Sequence, residues 1–194
     1  MNLNNEDVIK IFKSTEALLE GHFLLTSGRH SNQYFQCAKV LQYPEYTSQI
    51  CSLIANHFKD KEIDTVIAPA MGGIIVGYEV ARQLNKRSIF TERENKEMTL
   101  RRGFSLSKGE KVLVFEDVVT TGGSVFEVIE IVKKFGAEIV GVGSIVDRSN
   151  GKVDFGYEFF PSLRLNAVSY PPEDCAICKE GKLELVKPGS RKVF

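Results

Sequence analysis

Residues 112–124 read Val112-Leu113-Val114-Phe115-Glu116-Asp117-Val118-Val119-Thr120-Thr121-Gly122-Gly123-Ser124. The apolar residues 112–115 indicate a strand that is buried on both faces, and the apolar spacing after Ser124 indicates a helix. The two acids therefore come at the carboxyl end of a strand, where open α/β sheets bind ligands. Two adjacent carboxylates at this edge can hold a pair of vicinal hydroxyls through charge-assisted hydrogen bonds.

The turn Thr120-Thr121-Gly122-Gly123-Ser124 predicts a phosphate-binding loop. Glycines allow the backbone to direct its N–H groups inward, the hydroxyls add donors, and the next helix offers the positive end of its dipole. A ligand that presents two ribose hydroxyls near a phosphate matches this order of acids and donors. The alternative is an ordinary strand–turn–helix junction in which the threonines only cap the helix.

Strands and helices alternate through the middle of the chain, which predicts the α/β class with an open, mostly parallel, twisted sheet flanked by helices. A capped amphipathic helix is predicted from Asn5 to about Phe12 or a little beyond, and residues 22–25 are predicted to be extended. The predicted strands of the sheet are 64–68, 88–91, 111–116 and 139–146, and the predicted helices are one from Pro44 onward, 72–84 and 124–135.

The charged residues 92–102 show no apolar face that could hold them against a core. We therefore predict a mobile loop there. A run of charges is in most proteins a solvated face, and this alternative stays open for the segment.

The composition excludes several classes of protein. The 194 residues include 25 Lys and Arg and 25 Asp and Glu, so there is no global basic field to attract nucleic acid or an anionic membrane. The N-terminus lacks the pattern of a signal peptide, and no apolar run is long enough to span a bilayer. We expect a single domain in the cytoplasm.

Four cysteines, at Cys37, Cys51, Cys175 and Cys178, are too few and too unevenly spaced for the framework of a small secreted protein, which favours a reducing setting. Cys175 and Cys178 have metal-ligand spacing. A closed zinc site needs four ligands, however, and the sequence has no second pair and no histidine near them. We expect ordinary thiols near a turn, with a metal or redox role as the alternative.

The run of residues 112–124 closely resembles the signature with which type I phosphoribosyltransferases bind phosphoribosyl pyrophosphate (PRPP). Glu116 stands where aspartate is commoner, which keeps the charge. The resemblance implies PRPP binding by Glu116, Asp117, Val118, Val119, Thr120, Thr121, Gly122, Gly123 and Ser124.

Two further segments resemble parts of the same family. Pro69-Ala70-Met71-Gly72-Gly73 resembles its pyrophosphate loop, which implies that Ala70, Met71, Gly72 and Gly73 approach the anion; the alternative is a simple strand-to-helix turn. Residues 92–102 resemble its catalytic lid, whose cations would neutralise the leaving pyrophosphate: Arg93, Lys96, Arg101 and Arg102. The resemblance assigns catalysis to Glu116, Asp117, Lys96 and Arg93.

The ends of the chain resemble the orotate phosphoribosyltransferases, in their bacterial branch. Residues 25–31 with Tyr34-Phe35 resemble the base-binding hood, and residues 172–191 resemble the family's ending, so that residues 1–40 and about 150–194 would form the hood of a single domain spanning 1–194. Many members have a lysine where this chain has Thr26, and a lid histidine that is missing here.

Orotate carries a carboxylate, which a bidentate guanidinium holds best. The resemblance assigns this role to Arg148, and assigns further orotate contacts to Thr120, Tyr34 and Phe35. From its position alone, Arg148 could instead be a solvated arginine after a strand.

The resemblance implies transfer of the phosphoribosyl group from PRPP to orotate, giving orotidine 5′-monophosphate and pyrophosphate in pyrimidine biosynthesis. It implies Mg²⁺ bound through PRPP rather than by dedicated protein ligands, and a homodimer without nucleic-acid or membrane partners. The alternatives are a purine phosphoribosyltransferase with another hood, and a non-catalytic regulator that senses PRPP while binding nucleic acid.

Overall fold

The protein is described by a computed structural model for residues 3–25, 27–166 and 168–188. Its helices are α1 (Asn5–Ser14), α2 (Ala38–Leu41), α3 (Pro44–Phe58), α4 (Gly72–Leu84), α5 (Gly123–Lys134) and α6 (Ala176–Glu180), with a short 3₁₀ helix at Pro172–Asp174. Its strands are β1 (Leu18–Leu24), β2 (His30–Phe35), β3 (Thr65–Pro69), β4 (Arg87–Glu94), β5 (Glu97–Leu100), β6 (Lys111–Val119), β7 (Glu138–Asp147), β8 (Phe159–Arg164) and β9 (Ser169–Tyr170).

Six strands form the main sheet in the order β5-β4-β3-β6-β7-β8, and all neighbours are parallel except the β4–β5 pair. This confirms the predicted α/β class with a mostly parallel sheet. The chain runs outward from β3 through α4 to β4, and in the opposite direction from β6 through α5 to β7. The strand order therefore reverses between β3 and β6, and open sheets bind ligands beyond the carboxyl ends of the strands at such a point.

Both faces of the main sheet are covered by apolar packing. On β6, Leu113 and Phe115 face the cluster that contains α3 and α4, whereas Val112 and Val114 face the cluster that contains α5. All four side chains are inaccessible to solvent. Burial on both faces explains why β6 reads as a continuous apolar run.

Helix α1 begins with a reciprocal capping box. The side chain of Asn4 accepts a hydrogen bond from the Asp7 N–H at 3.0 Å, and the Asp7 side chain accepts one from the Asn4 N–H at 3.3 Å. The apolar side of α1 packs Val8 and Phe12 into the core. The predicted helix is confirmed, and it ends at Ser14, a little beyond Phe12. Among the described residues, no helix combines the length and apolar character needed to cross a bilayer.

The prediction of a loop at residues 92–102 is wrong. Strand β4 continues to Glu94 and pairs with β5 in a tight hairpin, whose two turn residues, Asn95 and Lys96, both have positive φ (50° and 73°). A turn of this kind matches the twist of the strands it joins. Met98 and Leu100 pack against the α5 side of the core, and they supply the apolar face that the surrounding charges obscured.

A second sheet consists of β1, β2 and β9 in antiparallel pairing. We call this sheet, together with α6 and the C-terminal tail, the hood. The C-terminal tail lies beside β1, where the Val186 N–H donates to the His22 carbonyl at 2.9 Å and the Leu24 N–H donates to the Val186 carbonyl at 2.8 Å. Phe35 of the hood packs edge-to-face on Phe12, with ring centroids 5.0 Å apart. The hood thus joins both ends of the chain and packs on the main core.

Candidate active site

The predicted acids and the predicted pyrophosphate loop meet at the carboxyl edge of the main sheet. A Cβ added to Gly72 would lie 2.0 Å from Oδ2 of Asp117, and one added to Gly73 would lie 3.4 Å from Oε1 of Glu116. Only glycine leaves room for Asp117 at the first position. The neighbouring Ala70–Met71 peptide is cis, and the Met71 side chain is exposed.

Glu116 is buried, and its carboxyl oxygen accepts a hydrogen bond from the Asp117 N–H at 2.9 Å. Asp117 in turn accepts from the Val118 N–H at 2.7 Å. Burial, and secondarily the charge of Asp117, raise the pKa of Glu116 to about 9. A pKa of about 9 keeps the Glu116 carboxyl protonated near neutral pH, before a ligand arrives.

A cavity of about 250 Å³ lies over the turn between β6 and α5, lined by Arg93, Glu116, residues 118–125 and Glu127. Gly122 at the start of α5 has φ 76°, and an added Cβ would lie 2.9 Å from both Phe155 and Val153. The position therefore requires glycine for its backbone conformation and for space.

The floor of this cavity is suited to an anion. Thr120 and Thr121 are exposed, so their hydroxyls are accessible to a ligand. The first turn of α5 contains no acid, and the positive end of its dipole is uncompensated there. The predicted PRPP-binding residues 118–124 all line this cavity, whereas Asp117 faces the pyrophosphate loop instead.

The four predicted lid cations do not share one position. Arg93 lines the cavity and is held by Glu127, to which its Nη1 donates at 3.1 Å, and by the Lys96 carbonyl at 2.8 Å. Arg102 donates to Glu92 at 3.0 Å, and Arg101 also pairs with Glu92, at 3.5 Å. Of the four, Arg93 is the one that the structure brings to the cavity.

Arg148 lies at the carboxyl end of β7, where its N–H donates to the Val119 carbonyl at 2.8 Å. This bond places it directly beside Thr120. Partial burial lowers the pKa of Arg148, while the neighbouring Tyr34 of the hood opposes this shift. Within the described part of the chain, the Arg148 guanidinium makes no hydrogen bond and no ion pair.

The residues of β2 alternate between two sides, as strand geometry requires. Tyr34 is half-buried and interacts with Arg148, whereas the Phe35 side chain is in the core. A contribution of Phe35 to base binding would therefore have to come from its backbone. Thr26 and residues 189–194, which include part of the predicted family ending, lie outside the described residues.

Asp147 was not anticipated as part of this region. It is buried at the end of β7, accepts a hydrogen bond from the Ser149 N–H at 2.8 Å, and pairs with Arg164 at 3.5 Å. These contacts stabilise the backbone on both sides of Arg148. The sequence feature that could have indicated Asp147 is its position at the carboxyl end of a predicted parallel strand, directly before Arg148.

The expectation that Cys175 and Cys178 have no histidine near them is wrong. Sγ of Cys178 lies 3.3 Å from Nδ1 of His30 and 3.6 Å from Nε2 of His22, although 148 and 156 residues separate them along the chain. The hairpin of β1 and β2 carries both histidines to the start of α6. Closeness in sequence was the wrong criterion for this cluster.

The chain is similar to known proteins both in sequence and in fold. Residues 38–159 match the phosphoribosyl transferase domain family. The curated orotate phosphoribosyltransferase of Desulforamulus reducens is 59% identical over 191 residues, which cover 98% of this chain and all of that protein. The solved orotate phosphoribosyltransferase of Aeropyrum pernix is 26% identical with a TM-score of 0.72, covering 81% of this chain and 93% of that one.

An adenine phosphoribosyltransferase from Thermoanaerobacter pseudethanolicus shares the fold, with a TM-score of 0.61 at 16% identity over 69% of this chain and 88% of that one. The common sheet thus occurs in proteins named for different bases.

Proposed function

This chain belongs to the orotate phosphoribosyltransferases within the phosphoribosyltransferase family, and we propose that it transfers the phosphoribosyl group of PRPP to orotate at the carboxyl edge described above. The products are orotidine 5′-monophosphate and pyrophosphate. The observation that carries the choice of base is Arg148, which follows β7 next to the β6 end and interacts with Tyr34, and whose guanidinium has no hydrogen-bond or ion-pair partner among the described residues.

A half-buried cation without a partner is costly, and a ligand that supplies a carboxylate removes that cost. Arg148 can meet the planar carboxylate of orotate with two parallel hydrogen bonds. Adenine and hypoxanthine have no carboxylate and would leave Arg148 unpaired. Tyr34 adds a polar ring from the hood on the same side.

The sugar and the phosphates of PRPP fit the remaining parts of the edge. The loop of residues 120–124 offers N–H groups, hydroxyls and a helix dipole to a phosphate. Asp117 and Glu116 lie between this loop and Gly72, where they can bind the two ribose hydroxyls. Residues 70–73 then receive the pyrophosphate on the other side.

The reaction is a displacement at the anomeric carbon, in which a ring nitrogen of orotate replaces pyrophosphate. Positive charge develops on the ribose as the bond to pyrophosphate breaks, and the carboxylate of Asp117 stabilises that charge while fixing the sugar. Arg93 lines the cavity over the phosphate loop, so it would have to move with the β4–β5 hairpin to offset the negative charge on the leaving group beside residues 70–73. Closure of the β4–β5 hairpin would add Lys96 and exclude water.

The site also fits a magnesium ion that arrives with PRPP. Its carboxyl groups, Glu116 and Asp117, are oxygen donors, the kind of ligand that Mg²⁺ prefers, and Asp117 faces the loop where the pyrophosphate would lie. A bound Mg²⁺ would supply charge neutralisation at the phosphates. Because the pKa of Glu116 is high, its carboxyl would have to lose a proton to bind the ion as a carboxylate.

A homodimer is supported by an apolar stripe beside the pyrophosphate loop. Met71, Ile75 and Tyr78 follow each other at helical spacing along α4 and are 82%, 50% and 63% exposed. A contiguous exposed apolar surface of this kind is typical of a protein–protein interface. Burial of this stripe against a second copy would place two active sites next to the interface.

The chain's setting and partners complete the proposal. The four cysteines are free thiols, which favours a reducing, cytoplasmic setting. The formal net charge of zero gives no basic field for nucleic acid or a membrane surface. We therefore propose small-molecule substrates only.

One assay tests the function. Purified protein with magnesium and PRPP is given orotate, adenine or hypoxanthine, and the consumption of each base is followed by its ultraviolet absorbance. Turnover of orotate alone is expected. Turnover of a purine without turnover of orotate would remove Arg148 from its proposed role.

A further inference from the structure

Four side chains of the hood converge on one point away from the active site. The ligand atoms of His22, His30, Cys175 and Cys178 all lie within 4.8 Å of one another. Nε2 of His22 is 3.1 Å from Nδ1 of His30 and 3.5 Å from Sγ of Cys175. These residues come from β1, β2 and the start of α6, so three separate segments meet there.

The spacing of these atoms matches a tetrahedral metal site. Zinc bonds of about 2.3 Å to sulfur and about 2.0–2.1 Å to nitrogen place neighbouring ligand atoms about 3.3–3.8 Å apart in a regular tetrahedron. Four of the six separations within the cluster run from 3.1 to 3.6 Å, and all six are within 4.8 Å. Little movement is needed for all four atoms to bind one ion.

Hydrogen bonding within the cluster is a poor explanation for its burial. His22, His30 and Cys175 are at most 5% exposed. Thiols are weak donors and weak acceptors, so they compensate little for the burial of two imidazoles. The two cysteines are also unpaired rather than joined in a disulfide.

The surroundings orient at least one ligand. Nδ1 of His22 lies 3.2 Å from the carbonyl oxygen of Leu183. A neutral His22 that donates to this carbonyl directs the lone pair of Nε2 toward the other three ligands. Metal-binding histidines are commonly held in this way by a carbonyl or carboxylate on the second ring nitrogen.

We propose that His22, His30, Cys175 and Cys178 bind a structural Zn²⁺ ion that fastens α6 and the C-terminal tail to the β1–β2 hairpin. Two thiolates and two imidazoles in a tetrahedron suit zinc, and four protein ligands leave no open position for catalysis. The site shares no residue with the active-site edge. The proposal is independent of the reaction and of the choice of base.

The ion would act on the active site through β2. His30 begins this strand and Tyr34 lies four residues further on, about 13 Å along it. Fixing His30 therefore fixes the strand that presents Tyr34 beside Arg148. Loss of the ion should loosen the base-binding side while leaving the main sheet folded.

The chain provides matched controls within its few potential ligands. Of its three histidines, His57 lies outside the cluster, where it pairs with Glu158 at 2.6 Å and stacks on Phe160. Of its four cysteines, Cys37 and Cys51 are buried elsewhere. His57→Gln removes a histidine and Cys51→Ala removes a cysteine, and neither variant changes a residue of the proposed site.

The first experiment measures metal in the full-length, tag-free protein purified without chelator. Elemental analysis should find about one zinc per chain in the wild type, as a closed four-ligand site requires. The double variant Cys175→Ser, Cys178→Ser should fall below about a tenth of that value, while His57→Gln and Cys51→Ala should match the wild type. Equal zinc in the double variant and the wild type would overturn the proposal.

The second experiment uses the wild type alone, so it decides the question even if the double variant fails to fold. Zinc is removed with a chelator, cobalt(II) is added, and visible absorption is recorded. Intense d–d bands of a tetrahedral ion, together with sulfur-to-cobalt charge transfer, are expected. A weak octahedral spectrum, failure to retain zinc after incubation and gel filtration, or occupancy by iron or copper instead of zinc would overturn the assignment.

Discussion

The carboxyl edge of the main sheet and the hood both gather polar side chains, but they hold them by different means. At the edge, consecutive residues 116–124 are positioned by a buried strand before them and a packed helix after them. In the hood, the four side chains come from distant segments, and contacts among the side chains themselves join them. Substitutions at the edge should therefore change chemistry within an intact fold, whereas substitutions in the hood cluster should change structure first.

The largest effect is expected from Asp117→Asn. The change keeps the shape of the side chain next to Gly72 but removes the negative charge that fixes and stabilises the ribose. Turnover of PRPP with orotate should fall on the order of 100-fold, measured by steady-state kinetics. Circular dichroism and zinc content should stay at the wild-type values.

Asp64→Asn serves as its control. Asp64 lies just before β3, at the opposite edge of the main sheet, where it accepts a hydrogen bond from the Lys111 N–H at 2.9 Å. This variant should retain wild-type turnover. Equal losses of turnover in both variants would show that a negative charge at either end of the strands affects activity. Asp117 would then have no specific role in the reaction.

Arg148→Ala probes the place where the edge meets the hood. Loss of a charge-assisted, bidentate contact should raise the KM for orotate about 10- to 100-fold. The KM for PRPP should change far less. Arg148→Lys keeps the charge without the planar fork and should recover only part of the loss. Equal weakening of both substrates would mean that Arg148 does not recognise the base.

A pair of neighbouring glycines tests how far the edge depends on its backbone. Gly122→Ala forces a side chain into a left-handed conformation, which should lower the free energy of unfolding by about 1–2 kcal/mol before the contacts with Phe155 and Val153 are counted. Gly123→Ala meets its nearest neighbour at 3.8 Å and lies inside α5, so it should be tolerated. Urea titration compares the two, and equal stabilities would contradict the argument.

The last prediction concerns the pH dependence of stability. The pKa of Glu116 is raised from its usual 4.5 to about 9, so the folded state holds a proton that the unfolded state has lost. The stability that Glu116 contributes is fully present below its unfolded pKa and is lost as the pH rises through its folded pKa. In Glu116→Gln this part of the pH dependence should disappear.

The measurement is a set of urea titrations across that pH window. The slope of the wild-type stability should be more negative than that of Glu116→Gln by at most about 1.4 kcal/mol per pH unit. Parallel pH profiles for the two proteins would show that Glu116 is ionised in the folded state.

The sheet could be predicted because β3, β6 and β7 are buried on both faces, so each reads as an apolar run between helical patterns. The helix predicted over residues 72–84 has those bounds in the structure. The β4–β5 hairpin was missed because its turn, Asn95-Lys96, contains no glycine, and because Met98 and Leu100 alternate with polar residues in a charged segment.

The active-site edge and the cysteine–histidine cluster also differed in how far residue order could predict them. The acids and the phosphate loop are contiguous, so their order alone indicated a ligand with hydroxyls and a phosphate. The cysteine–histidine cluster has no such pattern, because the pairing of β1 with β2 and the return of the chain to α6 create it. A pKa as high as that of Glu116 likewise depends on burial, which residue order does not specify.

The position of the tail beside β1 has a consequence for the order in which the chain is synthesised. Residues 65–164 complete the main sheet well before Cys178 and Val186 leave the ribosome. Until then the β1–β2 hairpin has neither its last two thiol neighbours nor the backbone partner that covers His22 and Leu24. A nascent chain can thus hold a folded sheet while its hood stays open, and the hood closes only after the segment with Cys178 and Val186 has emerged.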